Sequence, residues 1–501
     1  MAFIPTRTSN DERRVIVIGS GPSGAMAALA LVRQGIPVTL LESGQNVPSG
    51  LLVRAMGKNV YRRRRGPDNS RQHIASDDPD TAWYHALAPG GLSNYWTGAV
   101  PRFAPEDFCE GERLHERYRW PVSYDELVPY YEVAERLLVV AAAARDVPGL
   151  PASHVSYHRR LAGPWRRVAG CAESFGQGLT PLPLADGPPW MVSRTGVSFN
   201  SYTRIVPRLR RFAHFELLLG AHAIRLEWSG ATKKVDGVVY VDRAAGVEQR
   251  LNCAAVVVAA GPLASTKLLL QSACGDFPAG LGDTEGILGR FLHDHLNPWC
   301  VVDVETPLPR LTPAAYLTRA PYRESAPLLA ASCTLGGASH ARLQKVLALT
   351  PVRAQTFGVN IFGTMVPTHD TYVRLDSSAT DDFGLPVLDI HIRHDEGAQR
   401  AVAAARDRLV AILDAAGYPC MVRDVTVKAP GAAAHYGGTV RMHSSPTYGM
   451  LNAWNRLHAI DNVAVVDASC FTTGVEKNPT LTAMALAARA GDRLARDLKT
   501  S

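Results

Sequence analysis

Val15-Ile16-Val17-Ile18-Gly19-Ser20-Gly21-Pro22-Ser23-Gly24 is the stretch that decides the fold. Four consecutive apolar residues predict a strand buried on both faces. Glycines at 19, 21 and 24 end it. Ala25 to Gln34 is rich in Ala and Leu and predicts a helix closed by Gly35. Val38-Thr39-Leu40-Leu41 predicts a second strand, with Glu42 at its C-terminal end. Strand, glycine turn, helix and strand make a βαβ unit, and in that setting each glycine has its own duty. Gly19 permits the tight turn, Gly21 lets the backbone approach a pyrophosphate, and Gly24 lets helix and strand pack closely. The helix N-terminus offers free N–H groups and a positive dipole end to phosphates. Glu42 is placed to accept hydrogen bonds from ribose hydroxyls, and its charge disfavours a 2′-phosphate. The unit predicts an adenine dinucleotide, but its spacing does not separate FAD from NAD.

Further buried-strand runs lie at Ala255–Ala260 and Val463–Val466, with helices predicted over Leu263–Ser272, Glu396–Ala416 and Thr480–Leu498. Phe215–Val241 alternates like strands and hairpins. So do Thr371–Leu375 and Val387–Ile392 within a β-rich 300–395. Residues 105–195 mix helical stretches with Pro-rich loops such as Pro181–Pro189. Signals for a parallel core thus come at the start, middle and end of the chain, with β-rich segments between them. The predicted class is α/β plus β: a Rossmann-type nucleotide-binding domain built from discontinuous segments, with an inserted, mainly antiparallel sheet domain.

The chain has 501 residues, enough for two or three domains at about 150 residues each. Apolar residues make up 46% and charged residues 20%, which excludes a mostly disordered chain. Lys plus Arg exceed Asp plus Glu by only seven, and no zinc-finger, zipper or RNA-recognition spacing is present, so no nucleic-acid partner is expected. Arg62-Arg63-Arg64-Arg65 reads either as a solvated loop or as a lid attracting an anion. The eight cysteines form no CxxC pair, which fits a reducing compartment. No apolar run reaches the roughly 18–20 residues of a membrane span. Arg13-Arg14 before Val15 resembles an export signal, but the glycines cut the apolar run short, and a cytoplasmic protein is expected. His293, His295, His391 and His394 lack metal-site spacing, so no metal is expected.

Three more segments carry a resemblance. Gly90-Gly91-Leu92-Ser93-Asn94-Tyr95-Trp96-Thr97 resembles the flavin-contacting signature of the glucose–methanol–choline (GMC) oxidoreductases. Ala259-Ala260-Gly261-Pro262-Leu263-Ala264-Ser265 is similar to the family's second signature. His435 to Met442, Val466-Asp467 and Asn478-Pro479-Thr480 to Met484 match its C-terminal part, and Leu288-Gly289-Arg290 with Asp294-His295 adds a weaker match. Trp96 to Phe103 and Asn478 to Met484 look most like the pyranose 2-oxidase and bacterial glycoside oxidase branch.

The resemblance implies FAD and hydride transfer from an alcohol to flavin N5. It implies His435 as the base and Asn478 as its partner on the substrate oxygen. The implied cofactor contacts are Gly19, Gly21, Gly24, Glu42, Gly91, Ser93, Asn94, Tyr95, Trp96, Thr97, His222, Ala260, Gly261, Asp467, Asn478, Pro479 and Thr480. It divides the chain into an FAD-binding domain of 10–105, 195–300 and 430–501 and a substrate-binding domain of 106–194 and 301–429. Asn360 and Thr364, with His369 and Asp370, are candidate polyol contacts beside His435 and Asn478. The chemistry suits the residue types: neutral His accepts a proton near neutral pH, and Asn donates to a developing alkoxide without titrating.

Two departures matter. Where the pyranose 2-oxidase branch carries a flavin-linking His, this chain has Tyr95, so non-covalent FAD is expected. His443 stands where Gly is common, and reads as a loop substitution rather than a second site residue. The expected substrate is an alcohol on a sugar, glycoside or sugar-containing metabolite, with oxygen as acceptor. The alternatives are a dehydrogenase using a quinone or other acceptor, an oxidase of apolar, sterol-like alcohols, and a redox-silent lyase on the same scaffold.

Overall fold

The computed structural model describes residues 13–45, 83–185, 199–311, 314–336, 353–381 and 383–500. The Arg62–Arg65 cluster lies outside the described residues.

Five short strands form one wholly parallel sheet. Its order is Val463–Val465, Ala255–Val258, Val15–Ile18, Val38–Glu42, Phe215–Leu219. Val15–Ile18 lies at the centre with every side chain buried, as its unbroken apolar sequence requires. Ile18 is level with Leu41 on one side and Val258 on the other, so three strands finish together. The strand on one side is reached at once through helix Pro22–Arg33, and that on the other only after more than 200 residues of chain. Such a change of direction opens a crevice at the strands' C-terminal ends.

Helix Thr480–Thr500 lies against helix Pro22–Arg33 and buries Leu481, Met484, Leu486 and Leu494. Each such side chain contributes roughly 1.5–3 kcal/mol. Helix Tyr124–Leu138, opened by the Ser123–Glu126 capping box, packs on the same closing helix, and Tyr131 Oη hydrogen-bonds Thr482 Oγ1 at 2.8 Å. A three-stranded meander, Ala221–Ser229, Lys234–Asp242 and Val247–Asn252, connects two strands of the parallel sheet.

The second large sheet is antiparallel, in the order Cys420–Val427, Pro298–Pro309, Arg353–Gly363, Ala331–Leu335, Ala315–Leu317, Leu179–Pro181. Alternation sorts its two faces. Cys300, Val302, Val304, Val359 and Ile361 pack with helices Gly163–Ser174 and Glu396–Ala415. Trp299, Asn360 and Phe362, of opposite parity, face a cavity. Trp299 and Asn360 are register partners across two strands.

The chain is therefore mixed α/β, with a parallel nucleotide-type sheet and separate antiparallel sheets. One strand, Leu179–Pro181, lies within 105–195, where the sequence predicts helical stretches and Pro-rich loops, and it ends at Pro181, the predicted start of one such loop. It sits at the edge of its sheet, where a Pro at the strand's end costs no ladder hydrogen bond. No described helix is long and apolar enough to cross a membrane.

Candidate active site

A cavity of about 800 Å³ runs from the Gly19 turn to the Trp299 face of the antiparallel sheet. At its inner end the glycines have distinct surroundings. A Cβ on Gly19, where φ is +103°, would lie 2.4 Å from the Ala259 carbonyl oxygen, and one on Gly24 would lie 2.0 Å from the Gly19 carbonyl oxygen. These two positions admit nothing larger. Gly21 differs: a Cβ there would meet no atom within 4 Å, only the cavity. Gly21 is also the N-cap of helix Pro22–Arg33, and no side chain caps that end. Its first-turn N–H groups are therefore available to an anion, with the positive end of the helix behind them. A long cavity that begins at an uncapped helix N-terminus fits a dinucleotide.

Glu42 lines the cavity, but the protein's own donors share its carboxylate. It accepts from the Ser20 N–H at 3.0 Å and the Gly44 N–H at 2.7 Å, and also from the Ser20 hydroxyl. Burial pushes its pKa up, and these donors oppose the shift. Ser20 Oγ in turn accepts from the Gly90 N–H at 2.8 Å, which ties the glycine turn to the segment that follows.

In that segment Gly91, Ser93, Tyr95, Trp96 and Thr97 line the cavity. Asn94 does not; it lies behind the wall. Its Nδ2 donates to the Pro89 and Gly91 carbonyls at 3.0 and 2.8 Å, and its Oδ1 accepts from Asn200. Asn94 shapes the turn. Ala260, Gly261 and Asp467 also line the cavity. Asp467 accepts from the Gly261 N–H at 3.1 Å and the Ser469 N–H at 3.0 Å, with both Ser265 and Ser469 hydroxyls added. It thus stitches together the ends of two parallel strands, and burial raises its pKa. His222 lines the cavity beside Ser43, at 2.9 Å, and stacks on Phe383 at 4.0 Å between centroids. Burial pushes its pKa down to about 3.

At the other end, the structure brings His435 and Asn478 together: Asn478 Nδ2 lies 3.0 Å from His435 Nε2. Pro479 and Thr480, at the start of the closing helix, line the cavity beside them. His435 Nδ1 lies 3.0 Å from His295 Nδ1, and His295 Nε2 lies 2.6 Å from the Val475 carbonyl oxygen. These contacts fix the protons. A carbonyl only accepts, so His295 carries its proton on Nε2. Burial pushes His295 down to about 4, so the ring is neutral and its Nδ1 is a lone pair. His435 must then donate from Nδ1. Burial, with His295 and Lys428 nearby, holds His435 well below its usual pKa. Its ring is neutral, and the Nε2 lone pair faces Asn478 and the cavity. Phe362 lies 5.6 Å from the His435 ring and borders the same space.

The polyol candidates separate. Asn360 lines the cavity and accepts from Lys428 Nζ at 3.0 Å. Thr364 does not reach it. Thr364 is buried and its hydroxyl is taken up by the Leu328 and Ala330 backbone. His369 and Asp370 are exposed and lie outside the lining. His443 is also buried away from the lining, donating to the Glu116 carbonyl at 3.1 Å and accepting from the Ser445 N–H at 2.9 Å. Sequence reasoning missed Phe362, which two-residue alternation from Asn360 would have found. It met His295 as part of the weaker Asp294-His295 match and weighed it as a metal ligand, without giving it a part beside His435, and it passed over Lys428, which acts through partners distant in sequence.

Comparison with known proteins agrees with this architecture. Two GMC oxidoreductase family models match residues 119–297 and 367–487, and an FAD binding domain model matches 12–59. The 6'''-hydroxyparomomycin C oxidase of Streptomyces lividus is 30% identical, with 97% of this chain and 91% of that protein aligned. The 2-methyl-1,2-propanediol dehydrogenase of Mycolicibacterium austroafricanum is 28% identical over 98% and 96% of the two chains. The crystal structure of pyridoxine 4-oxidase from Mesorbium loti shares the fold, with a TM-score of 0.66 at 19% identity over 97% of this chain and 99% of that one. The chain belongs to the GMC oxidoreductase family, and is an FAD-dependent enzyme that oxidises alcohol groups.

Proposed function

We propose that this enzyme oxidises a hydroxyl-bearing carbon of a sugar, glycoside or sugar-containing metabolite to the ketone or aldehyde, with oxygen as acceptor. The observation that carries the reading is the ordered series Val475 carbonyl, His295, His435, Asn478. It presents one basic nitrogen and one amide donor 3.0 Å apart at the cavity wall. A substrate hydroxyl placed between them gives its proton to His435 Nε2 and accepts from Asn478 Nδ2. The carbonyl forms as the O–H electrons move to carbon and the C–H bond leaves as hydride. Bound FAD supplies the hydride acceptor at N5. His435 becomes an imidazolium, still donating from Nδ1 to His295. The amide stays neutral and keeps the oxygen in place. Sugar-like substrates are supported by the names of the relatives and by the polar groups at the cavity floor, Asn297, Asn360 and Lys428.

In the same reading, FAD is held without a covalent bond by 10–105, 195–300 and 430–501, and the substrate is met by 106–194 and 301–429. The test is the anaerobic absorption spectrum with a panel of sugars, glycosides and aglycone alcohols, followed by admission of air. Bleaching by one class and recovery in air is expected. His435→Ala should keep the flavin and slow bleaching by at least about a hundredfold. A flavin that no alcohol reduces overturns the proposal, and near-normal reduction in His435→Ala removes His435 from the mechanism.

A further inference from the structure

Among the described residues two lysines line the cavity, and they are partnered differently. Lys267 forms an ion pair with Asp381 at 2.6 Å. Lys428 stands just past the edge strand Cys420–Val427, on the floor beside His435. Its Nζ donates to Asn297 Oδ1 at 2.5 Å and Asn360 Oδ1 at 3.0 Å. Asn297 cannot turn away, because its Nδ2 is committed to the Ile361 carbonyl at 2.7 Å. Two amide oxygens thus hold the ammonium in position but bring no charge to balance it. Among the described residues no carboxylate lies within ion-pair distance of Lys428, and burial is what shifts its pKa, downward. An ammonium has three N–H donors, so one is left for a ligand in the cavity.

A cation drawn partly out of water without a counter-charge is costly unless a partner completes it. Among the described residues, the three carboxylates that line the cavity are committed elsewhere: Glu42 to Ser20 and Gly44, Asp381 to Lys267, and Asp467 to Gly261, Ser265 and Ser469. A ligand that carries its own anion would supply that partner.

We infer that Lys428, held by Asn297 and Asn360, receives an anionic group of the substrate, and that the substrate class is a hydroxylated carboxylate, such as a sugar acid or another polyhydroxy acid. This rests on the proposed function, since His435 and Asn478 must take the hydroxyl while Lys428 takes the carboxylate. The site also selects by repulsion: an ammonium on the substrate at this position meets a fixed like charge.

The holoenzyme with FAD bound tests this with three rings of matched shape, glucuronate, glucose and glucosamine, and with gluconate as an open-chain acid. Binding is read from the perturbed flavin spectrum and turnover from anaerobic bleaching. The acids should bind best and glucosamine worst. Lys428→Met should weaken the acids at least about tenfold more than it weakens glucose, the scale of a charge-assisted hydrogen bond. Lys428→Glu should invert the order in favour of glucosamine. Equal or better binding of glucose or glucosamine by the unmodified enzyme overturns the inference. So does an acid-to-glucose ratio that Lys428→Met leaves unmoved, or a panel of which no member binds. Retained flavin absorbance in both variants reports that the fold is kept. Binding in the charge order with no bleaching would sink the proposed oxidation and leave the anion site standing. Bleaching by neutral sugars with no charge order would do the reverse.

Discussion

His295 offers the sharpest test of the proton arrangement. It touches neither substrate nor cofactor in the proposed reaction, so its effect must pass through His435. Replacing it with Leu removes the acceptor for His435 Nδ1–H, 3.0 Å away, and the donor to the Val475 carbonyl, 2.6 Å away. A buried donor left unmade costs about 1–3 kcal/mol. His435 escapes that cost by turning its ring or moving its proton to Nε2, and either response withdraws the lone pair from the substrate hydroxyl. Rate and population scale together, so the expected loss in flavin reduction is roughly five- to 150-fold. His295→Gln is the control. Its amide N–H can donate to Val475 and its amide oxygen can accept from His435, the same order as the native ring. It should recover most of the rate. The assay is anaerobic stopped-flow reduction at saturating substrate, with flavin content checked for each variant. If His295→Leu reduces its flavin at the native rate, or His295→Gln is no better than His295→Leu, the tautomer argument is wrong.

The remaining expectations concern the cofactor and pH. Gly24→Ala places a Cβ about 2.0 Å from the Gly19 carbonyl oxygen and should lower the apo-protein's Tm as well as its FAD affinity. Gly21→Ala clashes with nothing in the protein and should leave the apo Tm unchanged while weakening FAD at least about tenfold, because its methyl enters the space a phosphate needs; FAD titrations showing native affinity would refute that. Acid precipitation should leave the flavin in the supernatant, since Tyr95 offers no linking imidazole; flavin in the pellet would contradict it. Stability should fall on acidification below about pH 6.5. Burial depresses His222 and His293 to about 3 and His295 and His394 to about 4, so the unfolded chain binds protons that the folded one does not. Burial raises Asp294 to about 7, and its contribution has the opposite sign, being full below its unfolded pKa and lost as pH rises through 7. Glu42 and Asp467, also raised by burial, act in the same sense as Asp294, but the four depressed histidines outnumber these three acids, so a Tm that stays level or rises between pH 6.5 and 5 would refute the balance.

The nucleotide-binding half was legible because its signals are local. A strand buried on both faces must be uniformly apolar, and a pyrophosphate needs glycines at set distances from a helix start, so both show within thirty residues. The order of the five parallel strands was not local in that sense, yet the matching runs at 255–258 and 463–465 carried the same signature. The substrate side was less legible. Of the two candidates near one strand's end, Asn360 lines the cavity and Thr364 does not. Parity does not separate them, since 360, 362 and 364 alternate alike; the strand ends at Gly363, and beyond it the Thr364 hydroxyl is absorbed by the Leu328 and Ala330 backbone, whereas Asn360 faces the cavity with Phe362. Nor does any pattern foretell that the oxygens of Glu42 and Asp467 serve the protein's own turns. Each has an acidic residue's sequence signal, and only the packed structure shows who uses the charge.

The pairing of His435 with Asn478 depends on a segment held by charge as well as by apolar packing. Residues 475–478 supply both ends of the hydrogen-bonded series: the Val475 carbonyl anchors His295, and the Asn478 amide meets His435. Between them, Glu476 and Lys477 are buried. Lys477 Nζ donates to Glu476 at 2.6 Å and to Asp107 at 2.7 Å, and Arg319 lies 3.5 Å from Asp107 and 3.7 Å from Glu476. Tyr322 donates to Asp107 at 3.0 Å and lies under the Arg319 guanidinium. Two cations and two anions cancel, but such a buried group gains little net stability over apolar residues of the same volume, because desolvation offsets the attraction. What it supplies is direction. Lys477 hydrogen-bonds Asp107 and Glu476 at once and Asp107 also accepts from Tyr322, contacts that sliding would break, whereas an apolar plug tolerates it. A shift of one ångström along this segment would separate Asn478 from His435 and Val475 from His295 together. The charged quartet thus fixes the spacing on which the proposed proton transfer relies, and it does so through residues 107 and 319, far from the reacting atoms in the sequence.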